Sequence, residues 1–211
     1  EKLFEFLNVK YVVDYDDAIF HNYNESNNFL IKLLLSNKIG AVIKNAAFVI
    51  TGSPYLTSYV SQFNANYVEI PTSVSKLAYC RNPSKNINAI FTIGWIGSST
   101  TSVNVLKLIP VFEKLSNKID FQLNLIGFNE NLSKQFNHLN VNFINWDSKT
   151  EIEEINKFDV GIMPLENTSF NQGKCGFKLV QYMGCSLPTI ASPLEANVKI
   201  NRNRKNLFAI T

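Results

Sequence analysis

The residues best suited to hold an anionic ligand lie between positions 173 and 193. Lys174, Lys178 and Gln181 recur there at helical spacing, which predicts that they share one face of a helix beginning near Gly173. A helix N-terminus presents unpaired N–H groups and partial positive charge, so it suits a phosphate. With Lys174 in the first turn and Lys178 one turn later, a nucleoside diphosphate could bind, and Gln181 could bond its ribose. An amphipathic surface helix with solvated lysines explains the same spacing equally well.

Two further candidate sites follow predicted strands in the middle and second half of the chain. Gly97 and Ser98 come directly after a buried strand, where small residues would let a diphosphate approach backbone N–H groups. A capped loop is the alternative. Glu166 follows another strand, and its carboxylate could bond a sugar hydroxyl, with an ordinary exposed loop glutamate as the alternative. Because ligands of open α/β sheets bind beyond the carboxyl ends of the strands, we expect Gly97, Glu166, Lys174 and Gln181 around one cleft.

A cluster of acids follows the first predicted strand. Asp14, Asp16 and Asp17 fall within four residues and repel one another, which is tolerated near water, a metal or a hydroxyl-bearing substrate. His21 is the one further metal ligand nearby, and a metal site would need more ligands. Helix capping by Asp16 or Asp17 is the alternative to a role in binding.

Composition limits the class of protein. The 211 residues are 45% hydrophobic and 18% charged, which is typical of a soluble globular protein. The formal charge of +3 is too small to predict nucleic-acid binding. The three cysteines have no metal-ligand spacing, and their odd number favours a reducing cytoplasm over a disulfide framework. No apolar stretch approaches the roughly 18 residues of a membrane span.

Strand and helix patterns alternate along the chain in two blocks. The predicted strands cover residues 11–14, 48–51, 67–70, 89–96, 121–126, 141–144, 159–163, 189–191 and 207–210. The predicted helices cover residues 26–45, 54–63, 102–115 and 150–156, besides the one near 173. This alternation predicts an α/β protein with Rossmann-like, doubly wound parallel sheets. We predict domains over residues 1–72 and 89–211, joined by a linker at 73–88.

The segment Phe177–Pro193 resembles the donor-site signature of group-1 (retaining, family-four-like) glycosyltransferases of the GT-B fold. In that signature a helix with two glutamates leads through Leu-Pro into a short strand. Here Gln181 stands at the second glutamate and Gly173 at the first. A variant of the signature that reads Gly-Lys-Cys-Gly-Phe-Lys-Leu-Gln-Tyr-Met is known within the family, and this chain is similar to it. The resemblance extends over nearly the whole chain.

The resemblance implies a GT-B fold in which residues 89–211 form a nearly complete nucleotide-sugar donor-binding domain and residues 1–72 part of the acceptor domain. We therefore expect a fragment that by itself binds the donor weakly or not at all and does not transfer sugar. The implied reaction moves a sugar from a nucleotide-diphosphate donor to a hydroxyl with retention, without a metal or other cofactor. The implied donor-binding residues are Gly97, Ser98, Glu166, Lys174, Gly176, Phe177, Lys178 and Gln181. Glu166, Asp16 and Asp17 are the candidate catalytic residues, although the leaving phosphate itself is often given the role of base in this family.

The partners that the resemblance implies are a nucleotide sugar and a glycan or lipid-linked acceptor, in polysaccharide or glycan biosynthesis. They place the protein in the bacterial cytoplasm, with peripheral contact to the inner membrane surface and none to nucleic acid. Two other functions stay open. A GT-B sugar-nucleotide epimerase shares the architecture but needs catalytic acids and a histidine around the donor sugar, which the second block lacks. A non-catalytic nucleotide-sugar or carbohydrate-binding module fits the missing first glutamate and the partial acceptor domain.

Overall fold

The computed structural model describes residues 7–81, 90–202 and 207–209. The chain divides into two compact units. The first unit comprises Glu1–Thr72, Asn167–Gly176 and Leu194–Ile200, and the second comprises Ser73–Glu166, Phe177–Pro193 and Asn201–Thr211. The predicted linker, 73–88, lies outside the described residues from position 82 onward, and the predicted domain boundaries stay predictions.

The described strands are β1 (Val12–Tyr15), β2 (Phe48–Thr51), β3 (Tyr67–Glu69), β4 (Phe91–Ile96), β5 (Phe121–Ile126), β6 (Val141–Ile144), β7 (Val160–Met163), β8 (Thr189–Ala191) and β9 (Leu207–Ala209). The described α-helices are α1 (His21–Asn24), α2 (Phe29–Leu35), α3 (Lys38–Asn45), α4 (Pro54–Val60), α5 (Val103–Leu106), α6 (Ile109–Ser116), α7 (Glu151–Asn156), α8 (Ser169–Gln172), α9 (Phe177–Gly184) and α10 (Glu195–Arg202). Short 3-10 helices cover Ser99–Thr101 and Glu130–Phe136. The predicted strands are confirmed to within two residues, and their positions 89 and 210 lie outside the described residues.

Two predicted helices are each divided in the structure. The helix expected over 26–45 is α2 followed by α3, and Ser36 and Asn37 separate them. The side chains of serine and asparagine compete with helical hydrogen bonds, which weakens a helix at this point. The helix expected over 102–115 is α5 followed by α6, and Pro110 lies in the first turn of α6, where its missing N–H is tolerated.

The first unit contains a parallel sheet in the order β1-β2-β3. Its core is formed by apolar residues such as Ile43, Val49 and Leu56, each at most 1% exposed. The helix α4 starts at Pro54 because Ser53 caps it: the Ser53 side chain accepts a hydrogen bond from the Leu56 N–H. This capped turn follows β2 directly and fixes the direction in which the chain leaves the sheet.

The second unit contains a parallel sheet in the order β6-β5-β4-β7-β8-β9. The chain winds outward from β4 to β6, and then resumes beside β4 with β7 and winds outward on the other side. The sheet is therefore doubly wound, as predicted. The point where the winding reverses lies between β4 and β7, and ligands of open α/β sheets bind at such a switch point.

Aromatic rings pack directly on glycines in the two central strands of this sheet. A Cβ atom on Gly94 of β4 would lie 2.0 Å from the Phe158 ring, and one on Gly161 of β7 would lie 2.5 Å from the Tyr182 ring. Phe158 and Tyr182 are both 0% exposed. The absence of side chains at these two glycines thus creates the space that the rings fill.

The hydroxyl of Tyr182 joins β4 to β7 at the carboxyl end of the sheet. The two strands pair at only two positions, both near the start of β7. Further along, the Ile96 N–H donates to the Tyr182 hydroxyl at 3.1 Å, and this hydroxyl donates to the Ile162 carbonyl at 3.2 Å. A side chain thus bridges the strands just where the switch point opens.

Candidate functional site

A cavity of about 530 Å³ opens at the carboxyl edge of the second unit's sheet. Its lining comes from the residues that follow β4, β5 and β6, and from the starts of α7 and α9. Five predicted donor-binding residues line it together: Gly97, Ser98, Phe177, Lys178 and Gln181. Glu166 belongs to the same unit but does not line this cavity, while Lys174 and Gly176 belong to the first unit.

The loops after β4 and β5 approach each other closely at two glycines. Gly127 has a φ of +70°, and a Cβ atom there would lie 2.2 Å from the carbonyl oxygen of Gly97. Ser98 and Thr101 form a capping box, in which the Ser98 N–H donates to the Thr101 hydroxyl at 3.1 Å. The alternative predicted for this turn, a capped loop, is therefore present, and the same loop also lines the cavity.

The helix α9 begins later than the sequence pattern predicts. It starts at Phe177, and Gly176 before it has a φ of +73°, a left-handed conformation that glycine adopts readily. Gly173 ends the preceding short helix α8. The prediction that Lys174 lies in the first turn of the signature helix is therefore wrong, because the left-handed turn at Gly176 separates Lys174 from α9.

Lys178 is the lysine that α9 does carry in its first turn. Its side chain lines the cavity, and the ammonium lies 5.9 Å from the ring centroid of Trp95, which is within the range of a cation–π contact. Trp95 is 1% exposed and belongs to the core beneath the cavity. The start of α9 thus places a positive charge beside unpaired helical N–H groups, which suits an anion.

Gln181 belongs to a polar network at the cavity wall. Its side-chain amide nitrogen donates to Glu151 Oε1 at 2.7 Å and to the Tyr79 hydroxyl at 3.1 Å. The Tyr79 hydroxyl also donates to Glu151 Oε1, and Trp146 Nε1 donates to Glu151 Oε2 at 2.5 Å. Both hydrogens of the Gln181 amide are therefore engaged, and Gln181 can meet a ligand only through its carbonyl oxygen.

Lys174 lies in the first unit, beside the acids that follow β1. Its ammonium is 2.8 Å from the Asp17 carboxylate, and the Cys175 thiol donates to the Asp16 backbone carbonyl at 2.9 Å. Burial raises the pKa of Cys175 to about 11, and the charges of Asp16 and Asp17 act in the same direction. Gly173 packs directly against Ala18 in the same region, because a Cβ atom on Gly173 would lie 2.4 Å from Ala18 Cβ.

Glu166 forms an ion pair with Lys107 within the second unit. Both side chains are about half exposed, so water screens the pair and it contributes little to stability. The loop that carries Glu166 is held by a hydrogen bond from the Leu165 N–H to the Ser192 hydroxyl at 2.8 Å.

Trp146, Glu151 and Tyr79 are site residues that the sequence did not identify. Trp146 follows β6, so the expectation that ligands bind beyond strand ends would have found it. Glu151 opens α7 in a run of acidic residues and looks like an ordinary charge at a helix N-terminus. Tyr79 is separated from Gln181 by 102 residues, and no local pattern predicts their contact.

Among the described residues, no helix is both long and apolar enough to cross a membrane. The same part of the chain brings no three histidine, cysteine, aspartate or glutamate side chains together in a way that could hold a metal ion.

The doubly wound parallel sheet, with a cavity at its carboxyl edge, defines an α/β protein with a Rossmann-like fold. The chain belongs to the group 1 glycosyl transferases, because the model of that family matches residues 90–211, more than half of its length. No curated protein matches the sequence significantly.

Solved glycosyltransferases share the fold. A point mutant of TarM from S. aureus, in complex with fondaparinux, α-GlcNAc-glycerol and UDP, matches with a TM-score of 0.66 at 15% identity, over 95% of this chain and 40% of that one. WaaG, a glycosyltransferase involved in lipopolysaccharide biosynthesis, matches with a TM-score of 0.64 at 12% identity, over 94% and 60%. A UDP-forming α,α-trehalose-phosphate synthase from Burkholderia xenovorans matches with a TM-score of 0.68 at 8% identity, over 94% and 57%. The fold is therefore of the GT-B type, and the chain spans 40 to 60% of the length of these structures.

Proposed function

We propose that the protein is part of a glycosyltransferase that moves a sugar from a nucleotide-diphosphate donor to a hydroxyl acceptor with retention, in glycan or polysaccharide biosynthesis. The observation that carries this proposal is the cavity of the second unit, where the start of α9 and Lys178 face the same space as Gln181. The cavity is large enough for a nucleotide, since small-molecule sites typically measure about 300–1,000 Å³. UDP in the TarM structure and the UDP-forming synthase support a nucleotide-diphosphate donor.

In the proposed reaction the bond between the anomeric carbon of the sugar and the diphosphate oxygen breaks, and a bond to the acceptor oxygen forms on the same face. The acceptor's proton passes to the departing phosphate, so no side chain has to act as base. Negative charge grows on the diphosphate as it leaves. Lys178 and the N–H groups at the start of α9 stabilise that charge.

Lys174 has a different position in this scheme from that predicted by the sequence. Its ammonium already neutralises Asp17, so contact with a diphosphate would require it to give up that partner. Lys178 lines the cavity itself at the start of α9, and for this reason we assign the main electrostatic contribution to it. Asp16 and Asp17 stay candidate acceptor-side groups, and Glu166 a candidate for orienting the donor sugar.

The cavity is built within one unit, so the structure, unlike the sequence, leads us to expect nucleotide binding by the chain itself, and this binding tests the proposal. Isothermal titration with UDP, GDP, ADP and CDP should give binding for at least one of them. Lys178→Gln should weaken that binding about ten- to hundredfold, because a charge-assisted hydrogen bond contributes about 1.5–3 kcal/mol. Lys114, an exposed lysine on α6, provides the matched control, and Lys114→Gln should bind as the wild type does. Lys107 is unsuitable as a control because it pairs with Glu166.

Products that a full-length version of the protein forms from nucleotide sugars separate the remaining functions. Free nucleotide together with a glycosylated acceptor supports transfer, interconverted nucleotide sugars support an epimerase, and binding without turnover supports a binding module. Equal affinities of the wild type and Lys178→Gln would contradict the assignment of the donor site.

We also propose that α2 makes the peripheral membrane contact. Four of its apolar side chains are between 62% and 73% exposed: Phe29, Leu30, Leu33 and Leu34. The stretch 26–45 around them contains three exposed lysines and no acidic residue. An apolar helix face flanked by basic residues complements an anionic lipid surface.

Sedimentation with vesicles tests this contact. The protein should sediment with phosphatidylglycerol vesicles and much less with phosphatidylcholine ones, and Leu33→Gln with Leu34→Gln should abolish the difference. Equal sedimentation with both vesicles, or an unchanged result for the double variant, would contradict it.

A further inference from the structure

Trp146 is a large aromatic residue that lies at the edge of the cavity and is not covered by the protein. It is 54% exposed, although tryptophan usually buries most of its surface. The indole N–H is held by Glu151, so the ring is fixed in orientation while much of it stays accessible. A fixed, accessible indole beside a cavity is a surface on which a flat ring can stack.

Glu151 is held from three sides and keeps room for one more partner. Its Oε1 accepts from Tyr79 and Gln181, and its Oε2 accepts from Trp146. All three neighbours donate, so the carboxylate acts only as an acceptor here. Two carboxylate oxygens offer about four lone-pair positions, which leaves one on Oε2 for a further donor.

The chemistry of that donor is restricted by charge. A phosphate near Glu151 would be repelled, whereas a hydroxyl can donate to it. Lys178 lies in the lining of the same cavity and favours an anion. The cavity therefore has two chemically different parts. In one, Glu151 can accept a hydrogen bond from a hydroxyl beside the Trp146 ring, and in the other Lys178 lies at the start of α9.

We propose that Trp146 and Glu151 form the nucleoside subsite of the donor cavity: the indole stacks on the base, and Glu151 Oε2 accepts a hydrogen bond from a ribose hydroxyl. Gln181 and Tyr79 are positioning residues that hold the carboxylate. The ligand class is a ribonucleoside diphosphate, and this inference rests on the proposed function. It also gives a physical reason for the amide at position 181, because a second carboxylate 2.7 Å from Glu151 would repel it.

Fluorescence offers a direct readout. The chain has two tryptophans, of which Trp95 is 1% exposed and Trp146 is 54% exposed. Titration with the best-binding ribonucleoside diphosphate from the set UDP, GDP, ADP and CDP should quench the emission of the wild type. Pyrophosphate should bind at the lysine end without that quenching. Trp146→Ala should lose the quenching and bind the nucleotide about 5- to 150-fold more weakly, while its pyrophosphate affinity stays unchanged.

Glu151→Gln tests the ribose contact. The wild type should bind the ribonucleotide at least several-fold more tightly than its 2′-deoxy or 3′-deoxy analogue, and Glu151→Gln should lose this discrimination. Glu153→Gln is the matched control, because Glu153 lies on the same helix with its side chain 68% exposed. A far-UV circular dichroism spectrum shows whether each variant folds. If a variant does not fold, the deoxy analogues still test the ribose contact in the wild type.

The outcomes separate the two levels of the proposal. If nucleotides bind and Lys178→Gln weakens them, but Trp146→Ala and the deoxy analogues change nothing, the nucleoside subsite is wrong and the proposed function stands. If no nucleoside diphosphate binds the wild type, both are wrong.

Discussion

Replacing Tyr182 by phenylalanine removes one hydroxyl that bridges the two central strands of the second unit. Ile96 N–H and the Ile162 carbonyl would both lose their partner, and both residues are 4% exposed. A buried backbone group left without a hydrogen bond costs about 1–3 kcal/mol. Two such groups cost about 2–6 kcal/mol together, so we expect Tyr182→Phe to lower the free energy of unfolding by that amount, a large part of the roughly 5–15 kcal/mol available to a domain.

Urea unfolding followed by tryptophan fluorescence measures this loss in the second unit, because both tryptophans lie in that unit. With an m-value of about 2 kcal/mol/M, the midpoint should fall by about 1–3 M while the slope stays unchanged. Tyr67→Phe is the control, since Tyr67 is 37% exposed, and its effect, followed by circular dichroism, should stay below about 0.5 kcal/mol. A Tyr182→Phe midpoint equal to that of the wild type would refute the view that the hydroxyl replaces missing strand pairing.

Three further predictions concern the thiols and one helix cap. Burial raises the pKa of Cys175 and of Cys185 from 9.0 to about 11, so the folded state keeps protons that the unfolded state releases between these values. The free energy of unfolding should therefore fall as the pH rises from 9 to 11, by at most about 1.4 kcal/mol per pH unit for each thiol. Urea midpoints across that pH range measure this fall. Cys80 is exposed while the other two thiols are buried, so a thiol reagent at pH 8 should label one site rapidly, and rapid labelling of all three would contradict the packing. Ser53→Ala should cost about 0.5–2 kcal/mol because Leu56 N–H loses its cap, and circular dichroism during thermal unfolding would detect the loss.

The sequence predicts the sheets better than the details of the site. Runs such as Phe121–Ile126 are apolar and short enough to identify buried strands, and their alternation with helices determines the doubly wound order. The helical spacing predicts the wrong place for Lys174 because the left-handed φ at Gly176 is a backbone property that no residue spacing reveals. Its partner Asp17 is 157 positions away along the chain, so only the folded structure brings the two charges together.

The same difference between local patterns and long-range contacts decides which residues of the cavity wall the sequence predicts. Gln181 is identified by its place in a recognisable segment, and it does line the cavity. Glu151 is missed because it contacts Gln181 from a different helix, and the two residues are 30 positions apart in sequence. Local patterns therefore identified the residues that begin a helix or follow a strand, whereas they missed the residues that position them from other elements.

The contacts between aromatic rings and glycines in β4 and β7 restrict which sequences this unit can accept. A library of variants at Gly94 should return almost only glycine, because even alanine would lie 2.0 Å from the Phe158 ring. Alanine at that position becomes acceptable only when residue 158 shrinks at the same time, so Gly94→Ala with Phe158→Leu should survive a selection that each change by itself fails. Position 161 is coupled in the same way to residue 182, but Tyr182 also bridges the strands and cannot shrink without losing that bond. Substitutions at the centre of this sheet must therefore be made in pairs, and one of the two pairs has no acceptable partner change.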